Sequence, residues 1–152
     1  MIARLRTTAD RLDAVTRDLT SDLTTRRPEG RWSINENVGH LVDLEELWLA
    51  RLDDFDAGAP ILRAADLQNR KTHEAGHNGR PLAALIAEFR SARALFVSRV
   101  DAMDADMFAR TARHPRLDQL MSVVDHCFFI AEHDDHHLAT IADIARSLGQ
   151  SA

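Results

Sequence analysis

Along four separate stretches of this 152-residue chain, apolar residues return at alternating steps of three and four, which lays them on one face of a helix. Each such face needs burial against another, so four of them commit the chain to a helical bundle. In the first stretch Leu5, Ala9, Leu12, Thr16, Leu19 and Leu23 form the face, and a helix is expected through about residue 24 before Pro28 and Gly30 break it. Ser33 followed by Glu36 announces a second helix through a capping box, with Ile34, Val38, Leu41, Glu45, Trp48, Leu52 and Phe55 along its seam. Residues 56–79 hold Gly58, Pro60, Gly76 and Gly79 among polar side chains and read as a long crossing connection containing one short helix. A third helix starts at Pro81 and carries Leu85, Phe89, Ala92 and Phe96 to about Val100. After a polar stretch from Asp101 to Arg116, in which Met107 and Phe108 are the packing residues, the last and longest helix runs from about Asp118 to Leu148. Its cap is expected at Gly149.

The expectation is therefore an all-α chain, one domain over residues 1–152, folded as a four-helix bundle with a long crossover between the second and third helices. Composition agrees. Hydrophobic residues make up 45% of the chain with aromatics at 5% and no Tyr, an Ala- and Leu-rich balance that favours helix over strand. With 24 acidic against 19 basic residues the formal charge is −5, which argues against a general nucleic-acid binder. The opening MIARLRTTADRLDAV lacks the apolar segment of a signal peptide and no run reaches the length of a membrane span, so a soluble, cytoplasmic protein is expected. The single cysteine, Cys127, sits in the apolar run CFFIA and reads as a buried thiol. A metal site in this chain must use His and carboxylate.

Of eight histidines, His126, His133, His136 and His137 fall close together on the last helix. On a helical wheel of about 100° per residue, Ile130, His133, Ile141 and Ile144 lie within roughly 40° of His137, while His136 points away. Two imidazoles one turn apart on an inward apolar stripe are able to share a divalent ion. The alternative is a pair of core histidines bonded to carbonyls or to Asp134. His40, at the edge of the apolar face of the second helix beside Asn37 and Leu44, is the candidate third ligand. It comes level with the pair only if those two helices run antiparallel, as an up-down-down-up topology arranges.

The more familiar pattern, HEAGH at residues 73–77, lies among Gly76, Asn78 and Gly79 after the polar run QNRKT. A helix through His77 is not expected there, and without one the spacing loses its meaning for zinc. His73 and His77 are read as loop residues outside any metal shell. Glu45, on a seam, and Asp134, roughly 60° from His137, are the candidates for a base or for orienting a ligand; Glu45 also has a purely structural reading as a buried acid paired with an Arg or with Trp48. Arg26, Arg27 and Arg31 enter the metal end as a basic loop. His114 is assigned to the far end of the bundle, without a role.

The segment RPEGRWSINENVGHLVDLEELWLARL (residues 27–52), together with HDDHHLATI (residues 133–141), resembles the DinB/YfiT-like superfamily of metalloenzymes. The shared features are the RPxxxWS entry to the second helix, the histidine eight residues after Trp32, and the paired histidines of the last helix. This resemblance implies a bundle of up-down-down-up topology in which His40, His133 and His137 hold one divalent ion, zinc, nickel, iron or manganese. It also implies thiol-dependent transferase or isomerase chemistry with a thiol such as mycothiol or bacillithiol, or hydrolase chemistry. Leu138, Ala139 and Thr140 stand where many members have Arg-Gly-Gln, which leaves the subfamily open. The expected partners are a small-molecule substrate and, as an assembly, a homodimer. A small-ligand binding protein that uses the metal without turnover is the alternative function, and proton competition for three imidazoles is expected to weaken metal binding toward about pH 5.

Overall fold

In the computed structural model, which describes residues 1–149, four long helices form the bundle: α1 (Ile2–Thr16), α3 (Ile34–Asp56), α5 (Leu82–Asp101) and α7 (Val123–Gly149). Shorter elements fill the connections: α2 (Ser21–Thr25), α4 (Arg70–Glu74), a 3-10 turn (His77–Gly79) and α6 (Ala105–Ala109). A two-stranded antiparallel hairpin, β1 (Thr111–Arg113) with β2 (Leu120–Ser122), departs from the all-helical expectation.

Side-chain pairings across the bundle give the helix directions. Asn35 bonds the carbonyl of Arg80, Glu45 pairs with Arg93 and Asp53 with Arg99, so α3 and α5 run parallel. Arg90 pairs with Asp10 and Asp13 while Arg6 pairs with Asp101, so α1 and α5 are antiparallel. Going up α3, Asn37 meets His137, Trp48 meets Phe129 and Phe55 meets His126, so α3 and α7 are antiparallel. The topology is up-down-down-up, with the parallel pair α3 and α5 joined by the crossover at residues 57–81.

The capping box forms as the sequence predicts. The Ser33 hydroxyl accepts from the Glu36 amide at 3.1 Å, and the Glu36 carboxylate accepts from the Ser33 amide at 2.9 Å. Arg27 grips the same carboxylate, so the basic entry loop locks the start of α3, and Arg31 reaches Asp143 on α7 at 3.3 Å. The first apolar face is not one helix. Thr20 adopts an extended backbone as the N-cap of α2, with Asp22 favourably placed in that helix's first turn, and α1 stops at Thr16. The last helix begins at Val123 rather than near Asp118, because Asp118 takes a left-handed backbone in the hairpin loop and Ser122 with Asp125 makes a reciprocal cap. At its other end α7 is still helical at Gly149, the position where the cap is expected, so the helix runs one residue past the expected end at Leu148.

The interior divides into two apolar clusters. One gathers Leu5, Leu52, Phe55, Phe96, Cys127 and Ile130; the other gathers Leu12, Val38, Leu41, Leu85, Phe89 and Ile141. Between them lies a polar layer. Arg93, 3% exposed, donates to Glu45 on α3 at 2.6 Å and to both oxygens of Asp134 on α7, and Asp134 also accepts from the Thr8 hydroxyl on α1 at 2.8 Å. The seam of α5 thus passes through Arg93, not Ala92, which is half-buried. Among the described residues no helix is long and apolar enough to cross a membrane.

Replacing Arg93 by Met strands two buried carboxylates without a counter-charge. The expected loss is about 3–5 kcal/mol of stability, read as a lower urea midpoint at pH 7.5 with an unchanged slope.

Candidate metal centre

His40 stands in the second turn of α3, and His133 and His137 lie one turn apart on α7. Because these helices run antiparallel, the three rings meet at one level. Their centroids are 5.4 Å apart for His40 and His133, 4.9 Å for His40 and His137, and 4.6 Å for His133 and His137. One candidate ligand nitrogen from each lies within 4.8 Å of the others, and this is the cluster of potential metal ligands found among the described residues. His136 points to solvent as its wheel position predicts.

Neighbouring side chains fix which nitrogen is free. The Nδ1 of His137 donates to the Asn37 Oδ1 at 2.9 Å, and that amide is itself oriented by its donation to the Ser33 carbonyl at 2.8 Å. The Nδ1 of His40 donates to the Thr72 hydroxyl at 3.1 Å, which in turn donates to Asp43 at 2.8 Å. Both rings therefore turn Nε2 toward the cluster as an unprotonated donor. The Nδ1 of His133 is buried with no hydrogen-bond partner among the described residues. An orphaned imidazole nitrogen beside two pre-oriented ones fits a divalent ion, and three neutral nitrogens suit zinc or a neighbouring transition metal.

Burial holds all three rings in the neutral, ligating form. Desolvation, with repulsion from neighbouring imidazoles, which for His40 are those of His77 and His73, pulls His40 down to about 4, His133 to about 3 and His137 to about 2. The proton competition expected near pH 5 from the ordinary histidine value thus moves to lower pH.

Several sequence readings change. Glu45 and Asp134, the candidates for base or orienting group, both face Arg93 in the layer beside the site. HEAGH lies outside the metal cluster as expected, and α4 ends at Glu74 before the second histidine. Yet His77 is no surface-loop residue. It is 3% exposed, its Nε2 donates to Asp43 at 2.9 Å, and a Cβ built on Gly39 would overlap its ring. Asp43 thereby ties the crossover to α3 and, through Thr72, orients His40. Thr72, Asp43 and His77 escaped sequence reading because their partners lie about thirty residues away; the one local sign was Asp43 a turn after His40.

The largest correction concerns His114. The hairpin folds it back so that it lines the same cavity, of about 510 Å³, as His40, His133 and His137. Trp32, Trp48, Leu44 and Phe129 supply the apolar walls. Trp32 covers the cluster, its ring 4.9 Å from that of His40 and 6.4 Å from that of His137.

A family model of the DinB superfamily matches residues 4–141. A search of curated proteins finds no match. Among solved structures, the chain is similar to one described as "YfiT from Bacillus subtilis is a probable metal-dependent hydrolase with an unusual four-helix bundle topology". The TM-score is 0.85 at 17% identity, over 97% of this chain and 85% of that one, a likeness of fold.

Two outcomes are expected. Thr72→Val removes the acceptor that orients His40 and should weaken metal binding about 10–100-fold in a chelator competition assay, with the helical circular dichroism unchanged. In the metal-free protein, stability should fall on acidification. His40, His133, His137 and His126, the last pulled to about 3, take up protons in the unfolded chain below its value near 6.5 but not in the folded one. Glu45, raised by burial to about 6, favours the folded state as pH falls from about 6 to its unfolded value, but it is one group against four. A net loss of at least about 2 kcal/mol between pH 7 and pH 5 should appear in urea titrations.

Proposed function

The chain belongs to the DinB superfamily, and from that premise we propose that it is a metal-dependent enzyme acting on a small organic molecule, with hydrolysis as its reaction. One observation carries the reading: three neutral histidines, two oriented by Asn37 and Thr72, open onto a mostly apolar cavity while nearby buried carboxylates are engaged elsewhere. A site of three protein ligands facing a cavity has room for substrate, unlike a closed structural site. A divalent ion held by His40, His133 and His137 supplies the Lewis acidity that lets water act as a nucleophile at neutral pH.

The chain's own residues do the rest. Asn37 and Thr72 hold two rings in the donor orientation, so no reorganisation is needed when the ion binds. Trp32 and Trp48 exclude bulk water from the wall of the cavity and strengthen the electrostatics inside it. His136, exposed on that wall with its ring 5.4 Å from that of His137, carries protons between the site and solvent in this reading. Glu45 and Asp134 act as structural partners of Arg93. Thiol transfer is the second reading, and one observation bears on it: Cys127 is fully buried in the core, with its thiol pushed up to about 12, so the nucleophilic thiol comes from a co-substrate such as mycothiol or bacillithiol.

The test starts from protein purified without a histidine tag. Elemental analysis should find about one divalent ion per chain, and His40→Ala, His133→Ala and His137→Ala should each lose it while staying helical. A panel of small esters and amides, assayed with and without added thiol, then separates the reactions. Turnover without thiol that disappears in the three variants supports hydrolysis, and turnover only with thiol supports transfer. A metal-loaded protein inert with both panels supports a binding protein, and wild-type protein that takes up no ion overturns the metal reading.

A further inference from the structure

At the end of the cavity away from His40, His133 and His137 stands a cation that no carboxylate among the described residues pairs with. Arg51 is 1% exposed, and among the described residues no carboxylate is within ion-pair distance of it. Its Nε donates to the Arg63 carbonyl at 3.1 Å, and its guanidinium carbon lies 5.5 Å from the centre of the Trp48 ring. Asp54, the acid whose field reaches it, has both oxygens taken by Arg63. The guanidinium is thus held on its Nε side, while its Nη2 makes no hydrogen bond among the described residues and its side chain lines the cavity. Burial pulls it down to about 10, the direction for a cation whose hydration is not replaced.

The neighbouring histidine sharpens the argument. His114 Nδ1 accepts from the backbone amides of Arg116 at 3.3 Å and Leu117 at 3.2 Å. That fixes its hydrogen on Nε2, which is 3.3 Å from the Arg51 Nη1. A ring nitrogen carrying hydrogen cannot accept from a guanidinium, so two donors stand side by side at the cavity wall. An oxygen accepting from both resolves the conflict, and the Nη1–Nη2 edge of the guanidinium presents the parallel pair of donors that a two-oxygen carboxylate matches. Arg116, exposed at the rim, adds positive charge.

We propose that Arg51 and His114 form a carboxylate-binding subsite, so that the substrate is an organic acid anchored at this end with its reactive bond at the histidine end. This rests on the reading of the cavity as a substrate site. His40, Leu44, Trp48 and Arg51 follow one face of α3, and the eleven residues from His40 to Arg51 span about 16 Å of helix. The intervening walls are Leu44, Trp48 and Phe129. The acid therefore carries an apolar chain or ring between its two functional ends, and a cavity of about 510 Å³ accommodates a molecule of that size.

Binding of hexanoate is compared with that of uncharged hexanamide by calorimetry and by tryptophan fluorescence, in the protein as purified and after metal removal. Hexanoate should bind at least tenfold more tightly than hexanamide in both forms. Arg51→Met should abolish the preference, Arg51→Lys should retain part of it, and His133→Ala should keep it despite losing the metal. Equal binding of acid and amide by the wild-type protein overturns the proposal whether or not the Arg51 variants fold. A preference that vanishes on metal removal also overturns it, because the metal would then be the anion's partner. Preference in the metal-free protein without any catalytic turnover leaves the subsite standing while the enzymatic reading fails.

Discussion

Around the Arg93 guanidinium all four long helices meet. Thr8 from α1, Glu45 from α3 and Asp134 from α7 converge on it or on each other, and Arg93 itself comes from α5. Apolar faces alone tolerate sliding, since one leucine packs nearly as well as the next. A buried cation shared by two carboxylates does not, because a shift of one turn on α3, α5 or α7 leaves an uncompensated charge in the interior, and a shift of α1 removes the Thr8 hydrogen bond to Asp134. The cluster therefore fixes the relative heights of the helices, and with them the level at which His40 meets His133 and His137. Asp134 is the chain neighbour of His133, so a residue that sets register is one position from the histidine cluster and faces a different helix.

Much of this was legible in the chain. The period of the apolar residues gave the four long helices, the Ser33 to Glu36 signal gave the start of α3 to the residue, and the wheel position of His133 and His137 separated them from His136. What was hidden depended on distant partners. Arg93 occupies a seam position, and its pairing with Glu45 is visible in hindsight as two opposite charges on two inward faces, but no local pattern says that those faces meet. His114 was misplaced because the hairpin that returns it to the cavity is made of two three-residue strands, too short for a period to register. The reciprocal cap of Ser122 and Asp125 was present in the sequence and marks the true start of α7.

HEAGH shows how the same residues carry a different meaning once the backbone is known. The short helix α4 ends inside the motif, so its two histidines diverge: His73 stays exposed near Trp32, and His77 goes under the crossover against Gly39. A zinc-protease helix would have used both as ligands. Here the segment bears on the histidine cluster indirectly, through the Asp43 carboxylate that accepts from both Thr72 and His77.

The crossover is divided by this arrangement into two halves under different constraint. Residues 70–80 are pinned, with Thr72 and His77 buried against α3 and Arg80 bonded by Asn35. Residues 64–69 carry mainly exposed side chains, and Ala64, Ala65, Asp66, Leu67 and Asn69 form one wall of the cavity, joined to α4 through the Asp66 carboxylate, which accepts from the Arg70 amide at 2.9 Å. Loops tolerate change where their side chains are exposed and their backbone is not enclosed. Substitutions at Ala64, Ala65 or Leu67 are thus expected to change the shape of the cavity wall, while Thr72 and Asp43 keep the orientation of His40. One continuous connection thereby supplies both a wall of the cavity and the support of His40.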